Sequence, residues 1–177
     1  VQTCALPILI MNLKGMFLML ENKNSKDKVC AFYASDYHFE MMTLPYISKK
    51  LDESKKVVIL SENNLNDTIN VLMERTNLKT DKKNKILNLN WNNNDLEKFR
   101  MISENVKNQE ETIIFVKGKE NYINNVNKNI EKWLESNMNS KVINCYDIQE
   151  IGGEMNRILE NYGTILSTSG EKDIEQL

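Results

Sequence analysis

The sequence predicts a three-layer α/β domain with a mostly parallel sheet of about six strands and helices on both faces. Three observations predict it. Short β-branched runs, such as residues 57–60 (VVIL) and 113–116 (IIFV), read as strands buried on both faces. Between them lie segments whose apolar residues recur three or four apart, the spacing of one helix face. Strand and helix alternate along the chain, which favours parallel pairing with right-handed crossovers. No internal repeat, low-complexity tract or long linker interrupts that alternation.

The elements follow in order. Residues 29–34 (VCAFYA) form a first buried strand. A helix is expected from about Tyr37 to Glu53, with Met41, Leu44, Ile47 and Leu51 facing inward. Pro45 falls inside it and is expected to kink or divide it, because proline has no N–H to donate. Lys56–Ser61 (KVVILS) is the clearest strand. Asn66 or Asp67 is expected to cap the next helix, which turns Ile69, Leu72 and Met73 inward. Lys85–Asn90 (KILNLN) alternates and is expected as a strand nearer an edge. Asn94 is expected to cap a helix with Leu96, Phe99, Ile102 and Val106 on its inward face.

Thr112–Val116 (TIIFV) is a further apolar strand. The long helix after it carries Tyr122, Ile123, Val126, Ile130, Trp133 and Leu134 at helical spacing. Lys141–Tyr146 (KVINCY) is a strand, and Gly153 precedes a helix through Met155, Ile158 and Leu159. Gly163 is read as a helix stop. Thr164–Ser167 (TILS) is expected to be the last strand, with a polar, frayed end beyond it.

Composition excludes some chemistries. A formal net charge of -2 leaves no basic excess for nucleic acid or an anionic membrane. Lys82, Lys83 and Lys85 are expected to sit in a solvated loop. The cysteines Cys4, Cys30 and Cys145 form no CxxC pair, and with His38 as the single histidine a Cys/His zinc site is not expected. Cys30 and Cys145 fall inside strands, where cysteine packs as a small apolar residue. Abundant lysine and asparagine with few prolines suggest an AT-rich coding bias and a bacterial source.

Val1–Ile8 (VQTCALPI) look like a translated sequencing adapter. Residues 1–18 are therefore expected to be a non-native or disordered leader, with one α/β domain over 19–177 and a native start at Met11, Met16 or Met19. The apolar stretch Ala5–Leu20 contains Lys14 and lacks a basic n-region and a cleavage site, and it is too short and interrupted for a span. A cytoplasmic location is expected.

In an open α/β sheet, ligands gather beyond the carboxyl ends of the strands, where helix N-termini present free N–H groups. The residues expected to bind a ligand there are Tyr33, Asp36, Tyr37, His38, Glu62, Lys117, Asp147 and Ser169. Ser35, Asn63, Asn64, Trp91, Asn92, Lys119 and Glu150 fall in the same loops. A phosphate-cradling loop needs glycines, because backbone amides must approach the oxygens closely. Ala34–His38 contains none, and neither GxGxxG nor GxxxxGK[ST] occurs, so dinucleotide binding and P-loop hydrolysis are disfavoured.

If the chain is an enzyme, His38 is the candidate base, with Asp36 or Glu62 orienting it. The plainer reading is a helix-start histidine packed among aromatics. Asp36, Glu62 and Asp147 could converge on a divalent cation, but helix capping is their commoner role. No metal and no cofactor are expected. Tyr33, Tyr37, Phe39, Met41 and Met42 could line an apolar pocket, though such clusters are more often core. Ser167–Gly170 (STSG) and Gly152-Gly153-Glu154 could bind an anion, but plain turns explain both.

Residues 29 to about 78 resemble the opening of the MEDS family, a sensory domain similar to a RecA-like domain without a working P-loop. Phe32-Tyr33, Leu44-Pro45-Tyr46-Ile47 and Val57-Val58-Ile59 match its outline of an aromatic pair, a proline-containing helix middle and a valine-rich strand. The likeness covers under a third of the chain. Asp52-Glu53-Ser54 stand where the family usually has glycines, and Glu154-Met155 is a distant counterpart of its Glu-Met element. The resemblance implies a sensory or regulatory module, often joined to an output domain, and transfers no ligand-binding residue. The fold expected is thus Rossmann-like or RecA-like. The function expected is a non-catalytic ligand-sensing or regulatory domain, with a small metal- or carboxylate-dependent enzyme and a protein-interaction module as alternatives. Its partner is expected to be an unknown small molecule or protein, with no nucleic acid and no membrane.

Overall fold

The computed structural model describes residues 28–93, 95–107, 111–134 and 140–176. The expected leader, Asn94 and the side chains of Leu96, Val106, Trp133 and Leu134 lie outside the described part. The chain runs β1 (Val29–Tyr33), α1 (Asp36–Asp52), β2 (Lys56–Ser61), α2 (Asn66–Arg75), α3 (Thr80–Leu87), α4 (Asp95–Lys107), β3 (Thr112–Gly118), α5 (Glu120–Leu134), β4 (Lys141–Asp147), α6 (Met155–Leu159), β5 (Thr164–Ser167) and β6 (Gly170–Asp173).

The strands form one six-stranded sheet in the order β2-β3-β4-β1-β5-β6. The first five are parallel and β6 closes the edge antiparallel to β5. Alternation along each strand divides the core in two. Ala31, Ile59, Phe115 and Cys145 face α1, α2 and α3, which contribute Phe39, Ile47, Ile69, Leu72 and Ile86. Cys30, Leu60, Ile114 and Tyr146 face α4, α5 and α6, which contribute Ile102, Ile123, Val126, Ile130 and Ile158. The predicted α/β class, the mostly parallel sheet and the helical layers are present.

Membership of the sheet differs from expectation at two places. Lys85–Asn90 is not a strand; its first residues complete α3. Two alternations are too few to distinguish a strand from a helix end. The helix is favoured by local bonds, Lys83 N–H to the Lys79 carbonyl and Asn88 N–H to the Asn84 carbonyl. Asp81 in its first turn and Lys85 in its last suit the helix dipole. Lys82, Lys83 and Lys85 therefore lie on a helix, and Lys82 and Lys85 flank Asp52 rather than occupying a free loop. The sixth strand comes instead from the end expected to fray. Thr168 and Ser169 make a tight hairpin, with Gly170 at a φ of +102°, and β6 pairs back along β5.

Local details also shift. α1 runs through Pro45 without dividing. Its inward face is Phe39, Met42, Leu44 and Ile47, and Met41 is exposed. α2 begins without a side-chain cap; Asn66 N–H instead bonds the Asn64 side chain in the preceding turn. β3 extends past its apolar run to Lys117 and Gly118. Gly163 stands ahead of β5 rather than ending a helix, and its carbonyl accepts from Ile174 N–H. Among the described residues, no helix is long and apolar enough to cross a membrane.

Trp91 replaces the expected edge strand as the anchor of the segment after α3. It is fully buried, its indole N–H donates to the Ile86 carbonyl at 2.8 Å, and its own carbonyl accepts from Leu65 N–H at 2.9 Å. Trp91→Ala should cost about 3–5 kcal/mol of unfolding free energy in urea titration, the range for emptying a large aromatic site.

Candidate functional site

The helix after β1 packs on one face of the sheet and the helix after β4 packs on the other. Because β1 and β4 are neighbours, the crevice between their carboxyl ends is where an open α/β sheet usually binds ligand. Here the β1–β4 ladder continues one bond past the strands and a side chain bridges the two loops. Ile148 N–H donates to the Tyr33 carbonyl at 2.9 Å, and the Gln149 side chain reaches the Ala34 carbonyl at 3.3 Å.

The first loop spends its donors on itself. Ser35 caps α1, its Oγ accepting from His38 N–H at 3.1 Å. Ala34 N–H donates to His38 Nδ1 at 3.0 Å. That bond requires Nδ1 to carry no proton, so the ring serves the loop as an acceptor. His38 is thus the exposed helix-start residue of the plainer reading, with Ala34 and Ser35 as its partners rather than packed aromatics.

Asp36, the first residue of α1, holds Lys117 from the end of β3 at 2.7 Å. Lys117 is 1% exposed and Asp36 is 36% exposed. The ammonium also lies 4.6 Å from the Tyr33 ring centroid and 5.6 Å from that of Phe39. Lys117 and its aspartate therefore stand at the carboxyl ends of β1 and β3, next to the position a phosphate loop would take.

Glu62 is committed elsewhere, its Oε2 accepting from Lys119 N–H at 2.8 Å. Asp147 accepts from Gln149 N–H at 2.9 Å in its own turn. Glu150 pairs with Lys119 at 3.1 Å. His38, Asp36 and Glu62 therefore each hold a separate partner and form no hydrogen-bonded chain. Ser169 lies apart, in the hairpin, against Ser167 at 3.0 Å. Trp91 is core and not part of this edge. The aromatic and methionine cluster splits: Tyr33, Phe39 and Met42 are buried, while Tyr37 and Met41 are exposed.

Several residues at this edge gave no sequence signal. Gly118 is needed for space, since a Cβ there would stand 2.7 Å from the Tyr122 ring and 2.9 Å from Glu62 Oε2. Lys98 is fully buried and donates to the Asn92 carbonyl; burial pushes its amine down to about 8 against the opposing pull of Asp95 and Glu97. Glu40 is fully buried one turn after Asp36, with Oε1 accepting from Thr68 and Oε2 unpartnered. Burial raises its carboxyl, with Asp36 adding to the rise and Thr68 and Lys117 opposing it. Only its place between Phe39 and Thr43 on the inward side of α1 could have flagged it.

Two outcomes follow from this cluster. Asp36→Ala should cost about 2–4 kcal/mol, since it leaves a buried ammonium unpaired, somewhat less than in a fully buried pair. Adding Lys117→Met should restore most of that loss, measured as a double-mutant cycle in urea. Glu40 should act in the opposite sense to a salt-bridged acid. Above about pH 4.3 the unfolded chain releases this proton while the folded chain keeps it, so stability falls as pH rises towards the raised folded value. Glu40→Gln keeps the Thr68 contact and removes the charge. Its stability advantage over the parent should grow from pH 4 upward by about 1 kcal/mol or more and then level off.

No family model, curated protein or solved structure significantly matches the chain.

Proposed function

We propose that the chain is a non-catalytic ligand-sensing or regulatory binding domain of degenerate RecA-like, MEDS-like type, acting in the bacterial cytoplasm. The observation that carries this reading is the Lys117–Asp36 pair beside a glycine-free first loop. A buried cation already neutralised by the protein, with Ala34 and His38 N–H groups already bonded, offers little to a nucleotide phosphate. The strand order supports the RecA-like alternative. β1 stands between β4 and β5, whereas the common dinucleotide-binding orders keep the first and second strands together.

The small-enzyme alternative needs His38, Asp36 and Glu62 to cooperate, and their separate partners count against it. One observation favours the interaction-module alternative: Met41, Leu44, Pro45 and Leu78 line an open, mostly apolar depression, with Met41 exposed.

Incubation of the pure chain with MgATP should release no phosphate above buffer. Its melting temperature should be unmoved by MgATP, Mg²⁺ or Mn²⁺. ATP turnover that disappears in Glu62→Gln would overturn the reading, and a saturable metal-dependent rise in melting temperature would return the enzyme alternative to first place.

A further inference from the structure

The cavity that carries chemistry lies between α5 and α6, on the face of the sheet away from the Lys117–Asp36 pair. Its volume is about 380 Å³, within the range of small-molecule sites. The floor is β4, where Asn144 and Tyr146 share the face turned towards α5 and α6. An amide inside an otherwise apolar strand run is costly unless both ends are satisfied. Asn144 is 5% exposed and only one end is satisfied. Its Nδ2 donates to the Tyr162 hydroxyl at 2.8 Å, and its Oδ1 has no partner among the described residues.

The hydroxyls of Tyr146 and Tyr162 are 2.7 Å apart. Tyr162 oxygen already accepts from Asn144. Whichever phenol donates to the other, one phenolic hydrogen is left over. Burial raises both phenols, so both remain neutral hydroxyls at neutral pH. Among the described residues the floor therefore holds one unused acceptor, Asn144 Oδ1, and one unused phenolic donor in the hydrogen-bonded group that Asn144 forms with Tyr162 and Tyr146. A group that both donates and accepts, a hydroxyl or a primary amide, satisfies the two together.

The lining balances its charges, Glu120 and Glu131 against Arg157 and Lys28, which favours a neutral occupant over an ion. Glu120, Asn124, Asn127 and Glu131 recur three or four apart along α5, so they form one polar stripe facing the cavity. Opposite them, Arg157 is held by Glu120 at 2.7 and 3.1 Å and by Glu154 at 2.6 Å. Its charge is matched twice over and is not free for an anion. Asn161 adds another amide to the α6 wall.

We propose that this cavity binds a small neutral molecule bearing hydroxyl or primary amide groups, of about monosaccharide size, with Asn144, Tyr146 and Tyr162 reading one such group at its floor. The site reaches the carboxyl ends of β3 and β4 through Glu120 and Tyr146, but none of its lining residues takes part in the Lys117–Asp36 pair on the other face.

Isothermal titration of the full chain with D-glucose, myo-inositol and nicotinamide, each to about 20 mM, tests it. Saturable binding of at least one probe is expected. Asn127→Leu, on the half-buried helix wall, and Tyr162→Phe should each weaken it about tenfold or more. Lys83→Gln, on α3 across the sheet from the cavity, should leave it unchanged. No saturable binding by any probe, or equal affinity in both cavity variants, overturns the proposal. Circular dichroism melts of the variants keep loss of folding distinct from loss of binding. None of the probes is a nucleotide, so MgATP turnover would remove the reading of the previous subsection without touching this one.

Discussion

A lysine with 1% exposure at the end of a central strand must be neutralised where it stands, and much of this structure is arranged around that requirement. Lys117 sits in a row across the sheet with Ser61 on one side and Cys145, then Ala31, on the other. Those neighbours are small, which leaves room for a long side chain lying along the sheet towards β1. Asp36 meets it from the first turn of α1, and the rings of Tyr33 and Phe39 flank the ammonium. The ion pair thus ties β3 to the start of α1 across the intervening strand. Such a pair is weak evidence for net stability, because desolvating two charges offsets most of their attraction. Its firmer consequence is geometric: the end of β3 is tied to the first turn of α1.

Most of the fold was legible in the sequence because its signals were long or redundant. The runs in β2 and β3 admit little but a buried strand, and Ile69, Leu72 and Met73 or Ile123, Val126 and Ile130 sit at helical spacing. The failures were short. Lys85–Asn90 offered two alternations, and its helix is decided by local bonds and by Trp91, which folds back onto the Ile86 carbonyl. β6 is four polar residues, recognisable as a strand only by pairing with β5. Strand order depends on contacts between distant segments, and no local pattern encodes it.

The site was legible in kind but not in state. Asp36, His38, Glu62, Lys117 and Asp147 were all placeable at strand ends from the sequence. Their partners were not, because a loop amide that bonds His38 looks in sequence like one that is free. The absence of glycine in Ala34–His38 was the more reliable signal. It concerns what a backbone can approach, and the stitched loops agree with it. Asn144 carries a different signal: a carboxamide on the inward face of an apolar strand needs a partner for each end.

β4 contributes to both regions. Cys145 lies beneath Lys117 on one face, while Asn144 and Tyr146 form the cavity floor on the other. The strand is hydrogen-bonded to β3 on one side and to β1 on the other, so its backbone is poorly placed to shift between two positions. A ligand in the cavity would therefore act through side chains and helices rather than by sliding the strand. The pieces free to respond are the short α6, whose Arg157 clasps Glu120 across the opening, and Tyr162, whose hydroxyl faces both Asn144 and Tyr146. In a domain proposed to sense rather than to catalyse, α6 is a short element: five residues, anchored in the core through Ile158 and tied across the cavity by the Arg157–Glu120 pair.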